Sequence, residues 1–254
     1  MAENNPHHGF GVDIGGSGIK GAIVDLSTGE LVSDRFKIKT PQPATPDAVA
    51  GVVRTLVDMA GWDGPVGITV PAVVRGHIAR SAANIDSSWI GTDVLALFSH
   101  HLDGRAVSVL NDADAAGIAE VELGDEEAKR GAVLLLTLGT GIGSAMLYNG
   151  TLFPNTELGH LPFGDTEAEK WASSAVRERE DLSYKEWGRR VDQVLHRYSA
   201  LFSPDRFIIG GGVSRKFDKW SQHITVEQPV VAAQLRNQAG IIGAAIAVRD
   251  GIQP

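Results

Sequence analysis

The stretch from Gly11 to Gly21 places an acid, several glycines and a lysine between two apolar segments. This pattern predicts strands over residues 11–14 and 19–25 with a tight glycine turn between them. A dinucleotide-binding loop or a Walker loop needs a helix directly after its glycines, and here a strand follows, so both are excluded. Glycines still let backbone N–H groups converge on phosphate, while Asp13 could hold a hydrated Mg²⁺ and Lys20 could meet phosphate oxygens. An ordinary hairpin explains this turn alone equally well.

A second glycine turn follows a predicted strand over residues 131–138 and leads into another strand at 145–148. It contains Gly139, Thr140 and Gly141, and it repeats the strand, turn and strand order of the first turn. Two similar lobes, each with a glycine turn, could hold one phosphate chain between them. A third cluster, Gly210, Gly211 and Gly212, follows a short strand at 207–209, although this pattern is also typical of an ordinary turn.

Polar residues suited to proton transfer end the buried strand predicted over residues 106–110. Asp112 could accept a proton from a substrate hydroxyl, or it could cap the helix predicted at 115–123, and Asp114 competes for either role. Further along, Glu157, His160 and Glu169 are each typical of ordinary surface positions when considered separately. A His/Glu metal site is an alternative there, but the sequence offers no third suitable ligand nearby.

The surrounding elements follow the order β-β-β-α-β, with a third strand over residues 31–39 and a buried strand over 66–71. Thr45 is predicted to cap the first helix, which begins at Pro46. Further helices are predicted over 93–100, 167–178, 184–202 and 240–248. We therefore expect a small N-terminal α/β lobe (1–113), a larger C-terminal α/β lobe (114–239) and a C-terminal helix (240–254) that packs back on the first lobe.

The composition narrows the possible functions. The chain of 254 residues has no cysteine, which excludes disulfides and thiol catalysis, and its net charge of −8 argues against nucleic-acid binding. It shows neither a signal peptide nor an apolar run of membrane length, so we expect a cytoplasmic enzyme. Basic residues of the second half could form a track for a polyanion, although such charges usually just face solvent: Arg177, Arg179, Lys185, Arg189, Arg190, Arg197, Arg215 and Lys216.

Five motifs together resemble the ROK family of sugar kinases, within the actin-like two-lobed ATPase superfamily. They are the Asp13 turn, Asn111-Asp112, Gly139-Thr140-Gly141, Glu157-Leu158-Gly159-His160 and Gly210-Gly211-Gly212-Val213-Ser214. The resemblance extends from about Gly9 to Val248 and implies a two-lobed α/β fold, ribonuclease H-like, with mixed β-sheets. Most members follow Glu-x-Gly-His with a zinc-binding cysteine cluster. Residues 161–173 instead resemble the cysteine-free subgroup that uses polyphosphate to phosphorylate glucose, so no zinc is expected.

The resemblance also implies a role for individual residues. Asp112 matches the catalytic base, and Asp13 matches an acid that holds Mg²⁺ through water. The sugar-contacting positions are Asn84, Asn111, Asp112, Glu157, His160 and Glu169. The donor-binding positions are Asp13, Gly15, Gly16, Ser17, Lys20, Gly139, Thr140 and Gly141, with Gly210, Gly211 and Gly212 near a nucleoside.

The implied reaction transfers the terminal phosphoryl group of inorganic polyphosphate, and of ATP, to the 6-hydroxyl of glucose, with mannose as a second acceptor. A strictly ATP-dependent hexose or N-acetylhexosamine kinase is the nearest alternative. A sugar-sensing repressor would need an N-terminal DNA-binding domain, for which a first strand at Gly11 leaves no room. A filament-forming actin-like ATPase would have no use for the Glu157/His160 pair. The sequence leaves open whether the protein is a monomer or a homodimer.

Overall fold

The computed structural model describes residues 6–82 and 85–253. It separates into two compact units, residues 6–119 together with 238–253, and residues 120–237. Each unit has its own hydrophobic core.

The first unit is built on a five-stranded mixed sheet. Its elements are β1 (His8–Ile14), β2 (Ile19–Asp25), β3 (Phe36–Ile38), α1 (Pro46–Ala60), β4 (Val66–Val70), β5 (Val74–Arg75), β6 (Ile78–Ala79), α2 (Val94–His101), β7 (Val107–Asn111) and α3 (Asp112–Ala119). The last helix of the chain, α7 (Ala239–Arg249), belongs to this unit as well.

The second unit contains the remaining elements. They are β8 (Ala132–Leu138), β9 (Ile142–Tyr148), β10 (Thr151–Phe153), β11 (Pro162–Phe163), β12 (Thr166–Glu167), α4 (Ala168–Ala172), α5 (Ser174–Arg179), α6 (Tyr184–Phe202), β13 (Arg206–Gly210) and β14 (Val230–Ala232). A π-helical turn over Glu120–Gly124 follows α3 directly.

The two main sheets confirm the internal repeat. Their strand orders are β3-β2-β1-β4-β7 and β10-β9-β8-β13-β14. In each sheet the strand before the glycine turn is central, antiparallel to the strand after the turn and parallel to the next one. Both glycine turns therefore leave the carboxyl end of a central strand, which is where open α/β sheets bind ligands.

Local sequence signals explain the two long helices. Ser183 and Glu186 form a complete capping box at the start of α6, and this helix has the predicted limits. Helix α1 begins at Pro46 and ends at Gly61, which adopts a left-handed conformation (φ 60°). Thr45 occupies the N-cap position of α1, but its side chain makes no capping hydrogen bond.

Several predicted elements have different limits. Strand β1 begins at His8 and not at residue 11, and β9 begins at Ile142 and not at residue 145. The strand predicted over 31–39 contains β3 and an isolated bridge between Leu31 and Val24, and between these two the Ser33 hydroxyl accepts the hydrogen bond of Ile23 N (3.0 Å). The helix predicted over 167–178 is divided into α4 and α5 by the extended backbone of Ser173 (φ −64°, ψ 160°). Helix α3 begins at Asp112 and not at residue 115.

Helix α7 packs unusually closely on the first sheet. A Cβ at Gly11 would overlap the Ile241 carbonyl, and a Cβ at Gly67 would overlap the Ala244 carbonyl. The side chains of this helix are apolar and mostly small, and its residues from Ile241 to Ala247 are buried. No helix in the described ranges is both long and apolar enough to span a bilayer.

Candidate active site

The first glycine turn carries a charged pair at its base. The Asp13 carboxylate at the end of β1 accepts hydrogen bonds from Lys20 Nζ (3.0 Å) and Thr69 Oγ1 (3.2 Å). A backbone bond from Gly15 N to Gly18 O (3.2 Å) closes the turn, and Gly16 and Ser17 are exposed at its tip. Asp13, Gly15, Gly16, Ser17 and Lys20 are thus brought together in one arrangement, as phosphate binding would require.

The three polar residues at the end of β7 and the start of α3, Asn111, Asp112 and Asp114, lie in different environments. The Asn111 side chain caps α3 by accepting from Ala113 N (2.8 Å) and Asp114 N (3.3 Å), and its amide donates to Ala72 O (3.3 Å). Asp114 is fully buried, whereas Asp112 is exposed at the first position of the helix. Because the cap is Asn111, Asp112 remains accessible for chemistry, and burial disfavours Asp114 as a base that meets substrate.

The second and third glycine clusters lie next to each other within the second unit. Thr137 pairs with Gly210 across β8 and β13, and a Cβ at Gly211, whose φ is 82°, would overlap the Leu138 backbone. The turn of Gly139, Thr140 and Gly141 is closed by Gly139 N to Gly141 O (3.0 Å). Its Gly139 carbonyl accepts from Ala175 N at the start of α5 (3.1 Å), which fixes the turn to the unit.

The predicted sugar-binding residues of the second unit form one cluster. The His160 ring lies 3.9 Å from Glu157 Oε2 through Nε2 and 3.8 Å from Glu169 Oε1 through Nδ1. Glu169 also approaches the glycine turn, since its Oε2 accepts from Ile142 N (3.4 Å) and a Cβ at Gly141 would overlap its carboxylate. Glutamate and histidine side chains of this kind can make paired hydrogen bonds to vicinal hydroxyls.

Glu167, which is not among the predicted site residues, joins this cluster. The short β11–β12 hairpin turns at Gly164 (φ 61°) and brings the Glu167 carboxylate to 3.4 Å from His160 Nδ1. His160, Glu167 and Glu169 consequently each offer a ligand atom within 4.8 Å of the others, so the prediction that no third metal ligand lies nearby is wrong. The hairpin turn could have been anticipated from Gly164-Asp165, a common turn dipeptide.

Burial and two neighbouring charges shift the pKa of Glu157. Desolvation raises the pKa of this carboxyl above its usual value, the negative charge of Glu169 raises it further, and His160 lowers it. Three neighbouring acids with one histidine thus produce a local surplus of negative charge. Such a cluster suits hydrogen-bond acceptance from sugar hydroxyls rather than binding of the phosphate donor.

The turn that carries Glu157 and His160 is held from two sides. Ser144 Oγ accepts from Leu158 N (3.0 Å), and the buried Tyr198 hydroxyl of α6 donates to Leu158 O (2.7 Å). Gly159 lies so close to β9 that a Cβ would overlap the Ile142 carbonyl. The glycine of Glu-Leu-Gly-His is therefore required by packing, and the two candidate side chains flank a fixed backbone.

Removing the Tyr198 hydroxyl tests this support. In Tyr198→Phe the Leu158 carbonyl keeps only its bond from Leu161 N (3.1 Å), and we expect a loss of about 0.5–1.5 kcal/mol in the free energy of unfolding. We also expect KM for the sugar to rise more than kcat falls, because the turn loosens while the base is untouched. Urea unfolding and steady-state kinetics measure both effects.

Tyr184→Phe is the matched control for that variant. Tyr184 begins the same helix and contacts Arg177 through its ring, and no hydrogen bond of its hydroxyl occurs in the described part of the chain. This variant should keep both stability and KM. Equal effects of the two substitutions would contradict a positioning role for Tyr198.

Three residues of the predicted basic track form surface ion pairs. Arg177, Arg179 and Arg190 lie 3.7, 3.3 and 2.8 Å from glutamates, and Arg190 also stacks on Trp171 at 4.4 Å. Surface pairs of this kind are weak, so they leave the charges available to a polyanion. A role in guiding polyphosphate stays a prediction for these three and for Lys185, Arg189, Arg197, Arg215 and Lys216. The predicted sugar contact Asn84 lies outside the described residues.

The fold and these clusters define the class of protein. Two sheets of the same strand order, glycine turns at their carboxyl ends and an exposed aspartate after β7 are the features of an actin-like two-lobed ATPase fold adapted to phosphoryl transfer. The chain belongs to the ROK family, whose sequence profile matches residues 9–170.

Individual relatives agree with this assignment. The chain is 54% identical over 240 residues to the polyphosphate glucokinase of Mycobacterium tuberculosis, covering 94% of this chain and 91% of the relative. Among solved structures it is similar to the inorganic polyphosphate/ATP-glucomannokinase of an Arthrobacter species, with a TM-score of 0.90, 45% identity and coverage of 96% and 99%. The glucokinase of Streptomyces griseus in complex with glucose and AMPPNP gives a TM-score of 0.82 at 26% identity, with coverage of 96% and 100%.

Proposed function

We propose that this protein transfers the terminal phosphoryl group of inorganic polyphosphate, and also of ATP, to the 6-hydroxyl of glucose, with mannose as a second acceptor. The observation that carries the proposal is the 54% identity to a polyphosphate glucokinase over nearly the whole chain. The same similarity supports a cytoplasmic sugar kinase and favours polyphosphate over a donor limited to ATP.

In the proposed reaction Asp112 accepts the proton of the 6-hydroxyl. The sugar oxygen then forms a bond to the terminal phosphorus while the anhydride bond breaks, and the shortened polyphosphate or ADP leaves. Glu157, His160 and Glu169 hold the other hydroxyls, with Asn84 and Asn111 as further proposed contacts. This chemistry depends mainly on positioning and on stabilising charge, so one carboxylate base is sufficient.

The donor is proposed to bind at the glycine turns. Backbone N–H groups of Gly16, Ser17, Thr140 and Gly141 and the Lys20 ammonium meet its oxygens. Gly15 and Gly139 shape the two turns, which their own N–H groups close. Gly210, Gly211 and Gly212 lie near the nucleoside when ATP is used. Mg²⁺ neutralises phosphate charge when bound, and the hard carboxylate oxygens of Asp13 fit this ion. Because both oxygens already accept hydrogen bonds from Lys20 and Thr69, an ion held through water fits better than one bound directly.

Formation of glucose 6-phosphate with Mg²⁺ and a single donor tests the proposal. The purified protein is given either long-chain polyphosphate or ATP, and we expect activity with both. Activity with ATP alone would overturn the polyphosphate assignment and leave a strictly ATP-dependent hexose kinase. Absence of product with both donors would overturn glucose as the acceptor.

A further inference from the structure

A lysine without an assigned role lies beside the first glycine turn. Lys37 of β3 is paired directly with Lys20 of β2, Lys20 is paired with Asp13 of β1, and Asp13 is paired with Thr69 of β4. Directly opposed residues of neighbouring strands point to the same face of a sheet. Four side chains consequently form one row across the end of the sheet, and two adjacent members of this row are cations.

The row contains one carboxylate for two ammonium groups. Lys20 Nζ forms its ion pair with Asp13 Oδ2 at 3.0 Å, and the other Asp13 oxygen accepts from Thr69. Lys37 makes no ion pair with any residue that the structure describes. Like charges directly opposite each other destabilise a strand pair, so a second lysine at this position does not stabilise the sheet.

The stem of Lys37 rests on the glycine turn itself. A Cβ added at Gly18 would stand only 2.7 Å from Lys37 Cε and 3.7 Å from Cγ, so the lysine fills the space that the missing side chain leaves. Packing of the methylene stem limits the rotamers of the side chain while its charged end stays in water. The end of the Lys37 stem therefore lies beside Gly18, which follows the exposed residues Gly16 and Ser17 in the same turn.

We propose that Lys37 is a donor-binding residue, which together with Lys20 binds phosphate groups of the polyphosphate chain at the Gly15–Gly18 turn. This inference rests on the proposed function. A polyanion supplies the negative charge that the row lacks and turns an unfavourable lysine pair into a binding site. Opposed side chains of a sheet start about 5 Å apart, so both ammonium groups can reach one phosphate or two neighbouring ones.

A purely structural reading assigns Lys37 to protection of the sheet edge, because lysines on edge strands discourage strand pairing between molecules. Arg35 distinguishes the two roles. It lies two residues before Lys37, directly before β3 and farther from the turn, is exposed, and has no ion pair among the described residues. Arg35→Met therefore removes the same charge from the segment next to the edge strand without touching the turn.

The experiment compares Lys37→Met with Arg35→Met in calorimetric binding of tripolyphosphate, without glucose and in low salt. Loss of one charge-assisted contact should raise the dissociation constant about tenfold or more in Lys37→Met. Arg35→Met should change it less than twofold, and Lys37→Arg should recover most of the affinity. KM for polyphosphate should follow the dissociation constants, while KM for glucose stays constant.

The outcomes separate this inference from the proposed function. Equal binding by Lys37→Met and Arg35→Met, in a protein whose wild type uses polyphosphate, overturns the role of Lys37 alone. Failure of the wild type to bind or use polyphosphate overturns both. Urea unfolding checks folding, and Lys37→Met should be at least as stable as the wild type because it relieves a like-charge pair.

Discussion

Replacing Asp112 with Asn is expected to lower kcat by about 10²–10⁴, the usual scale for removal of a general base. Asparagine has the same shape and keeps an oxygen that can accept the 2.9 Å bond from Ala113 N, so α3 should still begin correctly. Because Asp112 is exposed, the substitution leaves no buried polar group unpaired. Steady-state rates with saturating glucose and donor, together with urea unfolding, measure the two effects separately.

Asp114→Asn is the informative comparison for that variant. This neighbouring acid is fully buried within α3, so its substitution should act mainly on the free energy of unfolding. Near-normal turnover of Asp112→Asn, combined with loss of turnover in a folded Asp114→Asn protein, would transfer the role of base to Asp114.

The second large effect is expected at Gly67, where a methyl group would overlap the Ala244 carbonyl. Gly67→Ala forces α7 away from β4, and we expect a loss of roughly 3 kcal/mol or more in the free energy of unfolding, at or above the usual cost of overpacking. Urea unfolding followed by far-UV circular dichroism measures it.

Gly51→Ala provides the control for this substitution. Gly51 lies inside α1, and no heavy atom stands within 4 Å of a Cβ added there. Alanine should therefore stabilise the protein by about 0.5–1 kcal/mol through helix propensity. A neutral result at Gly67 would show that α7 can shift without cost, which contradicts its close packing on β4.

Elements with strong local signals could be predicted from the sequence. Strand β2 and helix α6 have the expected limits, because the first is a short apolar run between turns and the second begins with a capping box and keeps an apolar stripe. The repeated strand, turn and strand order also predicted two similar lobes, and the two sheets have matching strand orders. The limits of β2 and α6 depend on residues close together in the chain.

Features that depend on distant contacts could not be predicted in the same way. Asn111 caps α3 by accepting from both Ala113 N and Asp114 N, while Asp112 shares the bond from Ala113 N. The Asn111 side chain is held in this place by its additional bond to Ala72 of another segment. Glu167 joins the His160 cluster through the β11–β12 hairpin, whose two-residue strands are too short to give a periodic signal, so that Gly164-Asp165 is its one local sign in the sequence. Sequence spacing alone therefore identified the members of the site better than the partners that orient them.

The discontinuous make-up of the first unit affects how the protein folds during synthesis. A nascent chain leaves the ribosome with its N-terminus first, so β1 and β4 emerge long before α7, the helix that covers Gly11 and Gly67. Residues 120–237, by contrast, are contiguous and carry their own core. The second unit can therefore complete its folding first. The apolar face of the first sheet stays exposed to chaperones until the last helix has been translated.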